Sequence, residues 1–186
     1  MMRILSFLLF AVVFAASCQP SQSGSEGTQK EEEKIDRERL LADITAIENE
    51  FKQATTQEVD TAKAGKLIDK TIKFAQSFPV DSMTPELIFR TAQVARAIKK
   101  YGRAIQMFGK VHREFPKNER APTALFLQAF VFENELGDKD QAKKYYNHFL
   151  SKYPDNQMAP QVEQILKVID KSPEELVKEF KAKNNK

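Results

Sequence analysis

His112 and His148 are the two histidines of this 186-residue chain, and Cys18 is its one cysteine. Imidazole and thiol are the groups best suited to proton transfer, metal ligation or nucleophilic attack near neutral pH. The histidines stand 36 residues apart, and no third ligand or carboxylate motif accompanies them. A metal centre needs three or four donors, so the pair reads as two structural histidines that a repeating fold could stack. The acidic residues show no pairing that singles out two carboxylates for acid–base work. No HExxH, GxSxG, phosphate-loop or dinucleotide fingerprint occurs. Tyr145 and Tyr146 are adjacent aromatics, one of which belongs to a repeated core position described below. The expectation is a protein that is not an enzyme and uses no metal, no cofactor and no small-molecule substrate.

Bulk composition points the same way. Hydrophobic residues make up 41%, enough for a core, and charged residues 30%, with both signs mixed along the chain. The net charge of +3 is small and scattered. Nucleic-acid binding would need a basic patch or stripe, so no nucleic-acid partner is expected.

The elements that must position any site are helices. Leu40, Ile44, Ile47 and Phe51 follow spacings of 4, 3 and 4, one apolar helical face. Glycine is sparse after the N-terminal region, at Gly65, Gly102, Gly109 and Gly137, which disfavours tight hairpins of strands. One frame recurs three times, as FPVDSMTP at 78–85, FPKNERAP at 115–122 and YPDNQMAP at 153–160. The steps between them are 37 and 38 residues, a spacing that marks a solenoid of repeated units. In each frame the first proline ends a helix, because it lacks an N–H and clashes with the preceding turn. The second, Pro85, Pro122 or Pro160, suits the first turn of the next helix, where a missing N–H costs little. Thr84 is the expected N-cap before Pro85.

Two units overlay. From Pro85 run Ile88, Ala92 and Ala95, the turn KKYG, then Ala104, Phe108 and Phe115-Pro116. From Pro122 run Leu125, Ala129 and Phe132, the turn ELGDKD, then Ala142, Tyr146 and Tyr153-Pro154. Both second helices read A-x3-[FY]-x6-[FY]-P, and the second unit carries one extra residue in its turn. Alanines 92, 104, 129 and 142 let antiparallel helices approach. This pattern resembles the tetratricopeptide repeat, a helix–turn–helix unit of about 34 residues. The resemblance implies an all-α solenoid of about three helical hairpins. Residues 31–79 are expected to form a divergent first unit with Leu67 at the helix-B alanine position, and 80–157 two full units. Residues 158–186 are expected to form a capping helix pair and a solvated tail. In that pair, Val162, Ile165, Leu166 and Ile169 give one apolar face. Ser172, Pro173 and Glu175 spell a capping box, and Leu176, Val177 and Phe180 are expected to pack back on the stack.

The N-terminus has one basic residue, Arg3, then an apolar run from Ile4 to Ala16, too short to span a bilayer and typical of a signal peptide. Ala15, Ala16 and Ser17 precede Cys18, which resembles a bacterial lipoprotein signal. That implies a signal peptide at 1–17 and lipidation of Cys18; the other reading is a secreted protein with a free thiol. Gln19 after the cysteine favours, by the same resemblance, the outer membrane facing the periplasm. Residues 18–30 comprise the lipidated cysteine and a polar tether with too little apolar surface to fold. Glu31–Glu33 read as a helix start or as an acidic export tag.

In tetratricopeptide arrays the first helix of each unit faces a binding groove. By position, the resemblance places Glu86, Phe89, Gln93 and Arg96 there from the first full unit, and Thr123, Phe126, Phe130 and Glu133 from the second. Phe126 and Phe130, four residues apart, fit either the groove or the core. The stretch FLSKYP and the short array resemble BamD-type outer-membrane assembly lipoproteins and the repeat domain of the Tol-Pal periplasmic coordinator. The implied function is a lipid-anchored envelope scaffold that binds partner proteins or peptides, with outer-membrane protein assembly as one setting. The alternative is an accessory subunit that stabilises or presents a cell-envelope enzyme, such as one acting on peptidoglycan.

Overall fold

A computed structural model describes residues 35–53 and 60–184. The segments expected to be a signal peptide and a tether, with Cys18 and Glu31–Glu33, lie outside the described residues. Eight α-helices follow in order: α1 (Arg37–Gln53), α2 (Thr61–Ser77), α3 (Thr84–Ala97), α4 (Tyr101–Glu114), α5 (Arg120–Phe130), α6 (Lys139–Lys152), α7 (Ala159–Val168) and α8 (Pro173–Asn184). No strand occurs among the described residues. Helices α1 to α7 pack chiefly on their neighbours in sequence, which makes a helical solenoid of the tetratricopeptide type. None of the described helices is long and apolar enough to cross a membrane.

Three clusters form the core. The first holds Leu40, Ile44, Leu67, Phe74 and Leu87. The second centres on Ala92, Ala104, Phe108 and Val111, and the third on Leu125, Ala129, Ala142, Tyr146, Phe149 and Val162. The four repeat alanines are wholly buried, as are Phe108 and Tyr146. Small side chains at the crossings let the backbones approach, and the large rings fill the seams on either side.

The three recurrent turns share one backbone design. Phe78, Phe115 and Tyr153 cap their helices with φ of −130°, −124° and −134°, and ψ of 59°, 55° and 55°. What holds the turn is the residue three places later. The side chains of Asp81, Asn118 and Asn156 accept from the backbone N–H groups of Met83, Arg120 and Met158, at 2.8, 2.9 and 3.0 Å. Their own N–H groups donate to the carbonyls of Phe78, Phe115 and Tyr153. Thr84 is therefore not the cap: it lies inside α3, and its hydroxyl donates to the Phe78 carbonyl at 2.7 Å. The aligned positions are Ala121 and Ala159, which bury the same spot without a hydroxyl. Replacing Asn118 with Ala is expected to cost about 1 kcal/mol, the usual loss for a short polar side chain that satisfies orphan N–H groups. A urea titration of both proteins checks it, and the shift should be reproduced by Asn156→Ala at the next seam.

The two turns inside the hairpins differ. Lys99 closes the first with φ +60°, a conformation unusual outside glycine. In the second, the chain widens into a π turn over Val131–Glu135, with Leu136 N–H donating to the Val131 carbonyl, before Gly137 at φ +67°. The extra residue of this unit is absorbed in that wider turn.

The C-terminus corrects one expectation. Ser172 and Glu175 do exchange the two bonds of a capping box, at 2.7 and 3.2 Å, and α8 extends over much of the expected tail. However, α8 does not pack back on the stack. Leu176, Val177 and Phe180 stay 37%, 52% and 68% exposed, so α7 alone closes the third cluster. Three apolar residues and a short, strongly charged helix bury too little to offset the entropy of docking it.

Candidate interaction face

The first helices of successive hairpins, α1, α3 and α5, carry a row of linked charges. The Arg90 guanidinium on α3 donates twice to Glu48 on α1, at 2.9 and 2.8 Å. It also lies 3.6 Å from Glu86, one turn back on its own helix. Glu86 in turn accepts from Arg120, at the start of α5, at 2.8 Å. Glu48–Arg90–Glu86–Arg120 thus runs across three hairpins. Each pair is part-exposed and contributes at most about 1 kcal/mol. The arrangement matters more for where it holds the side chains, since a bidentate Arg–carboxylate pair has fixed geometry.

The groove positions expected from the repeat differ in their surroundings. Glu86 is within the charge row, and Gln93 is exposed on the same side of α3. Thr123 on α5 is half-buried. Arg96 sits 3.7 Å from Glu135 with its guanidinium 5.3 Å from the Phe130 ring centre, a cation–π contact at a half-buried site. Phe126 is half-buried, its ring 5.8 Å from Tyr146 and 6.5 Å from Phe149. It is mainly a member of the third cluster with one open edge. Glu133, in the π turn, is committed to accepting from the buried Tyr146 hydroxyl at 2.7 Å. Burial, then that carboxylate, pushes the Tyr146 phenol well above its usual range.

Phe89 departs from expectation. It is 5% exposed, packs edge-on against Phe108 at 5.8 Å, and is covered by the Arg120 guanidinium at 5.3 Å. It is a core ring under an ion pair rather than an open groove contact. Along α3, Glu86, Arg90 and Gln93 share one face, whereas Phe89 turns toward α4. Arg90, Glu48 and Arg120 are members of the face that the sequence pattern passed over. The spacing of four from Glu86 was the local signal for one of them, Arg90.

Behind this face the seams hold buried polar bridges. Thr71 on α2 and Thr91 on α3 share a hydrogen bond of 2.9 Å. One unit along, at the position aligned with Thr91, Gln128 donates to the Ile105 carbonyl at 3.3 Å. That leaves its oxygen to accept from His112 Nε2 at 3.0 Å. His112 is buried, and its Nδ1 has no partner. Gly109 makes room: a Cβ there would lie 2.9 Å from Gln128 Nε2. His148 lies near His112, with ring centres 5.9 Å apart, but the rings are tilted by 60° and not stacked, and His148 is exposed. Lys152 caps the pair by donating to the His112 carbonyl at 2.9 Å. No group of three or more His, Cys, Asp or Glu that could hold a metal occurs among the described residues. His112 is packed in the seam between α4 and α5, and His148 lies at its exposed edge.

Residues 86–118 and 123–156, the two segments whose frames overlay, match the family model of the tetratricopeptide repeat. No curated protein matches the chain.

Proposed function

We propose that this tetratricopeptide-repeat chain is an adaptor of the bacterial cell envelope. In this reading it is anchored to the outer membrane through lipidated Cys18 and binds a partner protein segment along the α1–α3–α5 face. Repeats of this family generally mediate protein–protein contacts, which supports the adaptor role. The observation that carries the choice of face is the continuity of Glu48, Arg90, Glu86 and Arg120 across three hairpins. With those charges already paired, the groups free to meet a partner are the Gln93 amide, the Thr123 hydroxyl and the open edges of Phe126 and Phe130. Such a mixture suits an extended or helical peptide read by a few apolar and polar contacts. The resemblance to outer-membrane assembly and Tol-Pal repeat lipoproteins favours a role beside envelope machinery.

The test places a photoreactive residue at Gln93 or Thr123 in the full chain, with a control at exposed Lys117. Adducts with one protein are expected from the first two sites and not from the control. Barrel-assembly components would support the assembly role, division-linked envelope proteins the Tol-Pal setting, and a peptidoglycan enzyme the accessory-subunit alternative. Equal labelling from all three sites would sink the proposed face. The anchor is tested in the same cells: Cys18→Ala should lose fatty-acid labelling and leave the membrane fraction.

A further inference from the structure

The second helices of the first two hairpins, α2 and α4, leave a furrow between them on the helix-B side. Its inner hollow, about 220 Å³, is floored by Thr71, Ala75, Ile88 and Met107, with Ile72 at the lip. An outer, more open hollow shares Arg103 and Gln106 with it and runs past Ile68 to Tyr101 and the 48%-exposed Leu136. From Gly65 to Gln76 the combined trough is three helical turns long, roughly 17 Å.

The rim is unlike the helix-A face. There, Arg90, Arg96 and Arg120 each have a carboxylate partner. Around the furrow stand Lys99, Lys100, Arg103 and Lys110 against one lining carboxylate, Asp69. Lys110 pairs with Glu114, and Arg103 donates only to the neutral Gln106 at 3.2 Å. Lys99, Lys100 and Arg103 have no carboxylate partner among the described residues. An apolar floor under a rim with three unpaired cations, Lys99, Lys100 and Arg103, selects a ligand with an apolar stripe and flanking negative charge.

We infer that the α2/α4 furrow is a second docking surface, whose occupant is an acidic amphipathic helix of a partner protein, about three turns long. Apolar side chains of that helix would seat over Ile72 and Met107. Its carboxylates would meet Arg103 and Lys100, where charge complementarity also raises the rate of encounter. This surface is separate from the α1–α3–α5 face and does not depend on it.

The probe is a synthetic three-turn peptide with leucines spaced by three and four and glutamates on both flanks, compared with its lysine-for-glutamate counterpart. Fluorescence anisotropy is measured on the full chain in detergent. The acidic peptide is expected to bind at least tenfold more tightly than the basic one. Its affinity should fall by about tenfold between low salt and half-molar salt, as screening shortens the reach of the rim charges. Lys100→Glu with Arg103→Glu should abolish the preference while the circular dichroism spectrum stays unchanged, and Gln93→Ala should leave it intact. Equal binding of the two peptides, or no binding of either, would overturn the inference. So would binding that appears only after removal of residues 19–34, because the chain's own acidic leader would then be the occupant.

Discussion

Phe108→Ala is expected to lower the unfolding free energy by roughly 3–5 kcal/mol, the range for truncating a fully buried aromatic ring. Phe108 is completely buried in the central cluster, where it meets Phe89 edge-on and lies among Ala92, Ala104 and Val111. Alanines cannot spread to refill the space, so the cavity persists. The loss should also change the shape of the transition. In a solenoid each hairpin is stabilised mainly by its neighbours, and the α3–α4 hairpin is the link between α1–α2 and α5–α7. Urea titration followed by circular dichroism and by tyrosine fluorescence should show one coincident transition for the native chain. For Phe108→Ala the probes should separate, because three of the four tyrosines, Tyr145, Tyr146 and Tyr153, report on the third cluster and only Tyr101 on the central one. A loss below 1 kcal/mol with coincident curves would mean that the central cluster is not what couples the units.

The position of Phe108 was readable because the repeat samples it twice: Phe108 and Tyr146 stand at one frame position, as do Ala104 and Ala142. Periodicity shows which side chains must face inward when a unit recurs. It is blind to what differs between seams. Nothing in the frame distinguished Asp81, Asn118 and Asn156 as turn holders, although all three sit three places after the aromatic residue. A short polar side chain in a turn is too common to stand out. Phe89 looked like a groove anchor because helix position was carried over without the Arg120 guanidinium that lies over the ring. The failure of α8 to dock was hidden for another reason: a capping box says where a helix starts, not what it packs against.

Acid should weaken the fold before its carboxylates are protonated. Burial, followed by the nearby positive charges of Lys152 and Arg113 and the ring of His148, pulls His112 down from 6.5 to about 4, and the bond to Gln128 only partly opposes this. The unfolded chain therefore takes up a proton that the folded chain refuses. Stability is complete above about pH 6.5 and is lost as the pH falls toward the folded-state value, by on the order of 2 kcal/mol at pH 5. Asp43, Asp60 and Asp81 are held below the ordinary range by Lys70, by the Lys63 N–H and by Arg37 respectively, so their contribution is lost at lower pH. The interval from 6.5 to 5 thus isolates the histidine. The control is built into the molecule. The third seam carries Leu150 and Leu166 at the positions aligned with His112 and Gln128, and both pack on the third cluster. His112→Leu combined with Gln128→Leu copies that seam and removes both partners of the bridge, so its stability at pH 7.5 should stay close to native. Its stability should also hold nearly level down to pH 5. Urea midpoints at four pH values decide the matter, with the His112 ring titrated separately by nuclear magnetic resonance. A parallel decline in both proteins would remove His112 as the cause.

The π turn at Val131–Glu135 separates two quantities that a solenoid usually keeps in proportion, contour length and advance along the stack. The second full unit is one residue longer than the first, yet Ala142, Tyr146 and Tyr153 reach the same depth as Ala104, Phe108 and Phe115. The surplus has gone into the girth of one helical turn and not into the step between hairpins. An insertion at that point leaves the next hairpin in phase, whereas one in the proline-bounded turns would rotate everything beyond it. The array can therefore vary in length at its hairpin tips while the spacing of any surface that crosses several hairpins stays fixed.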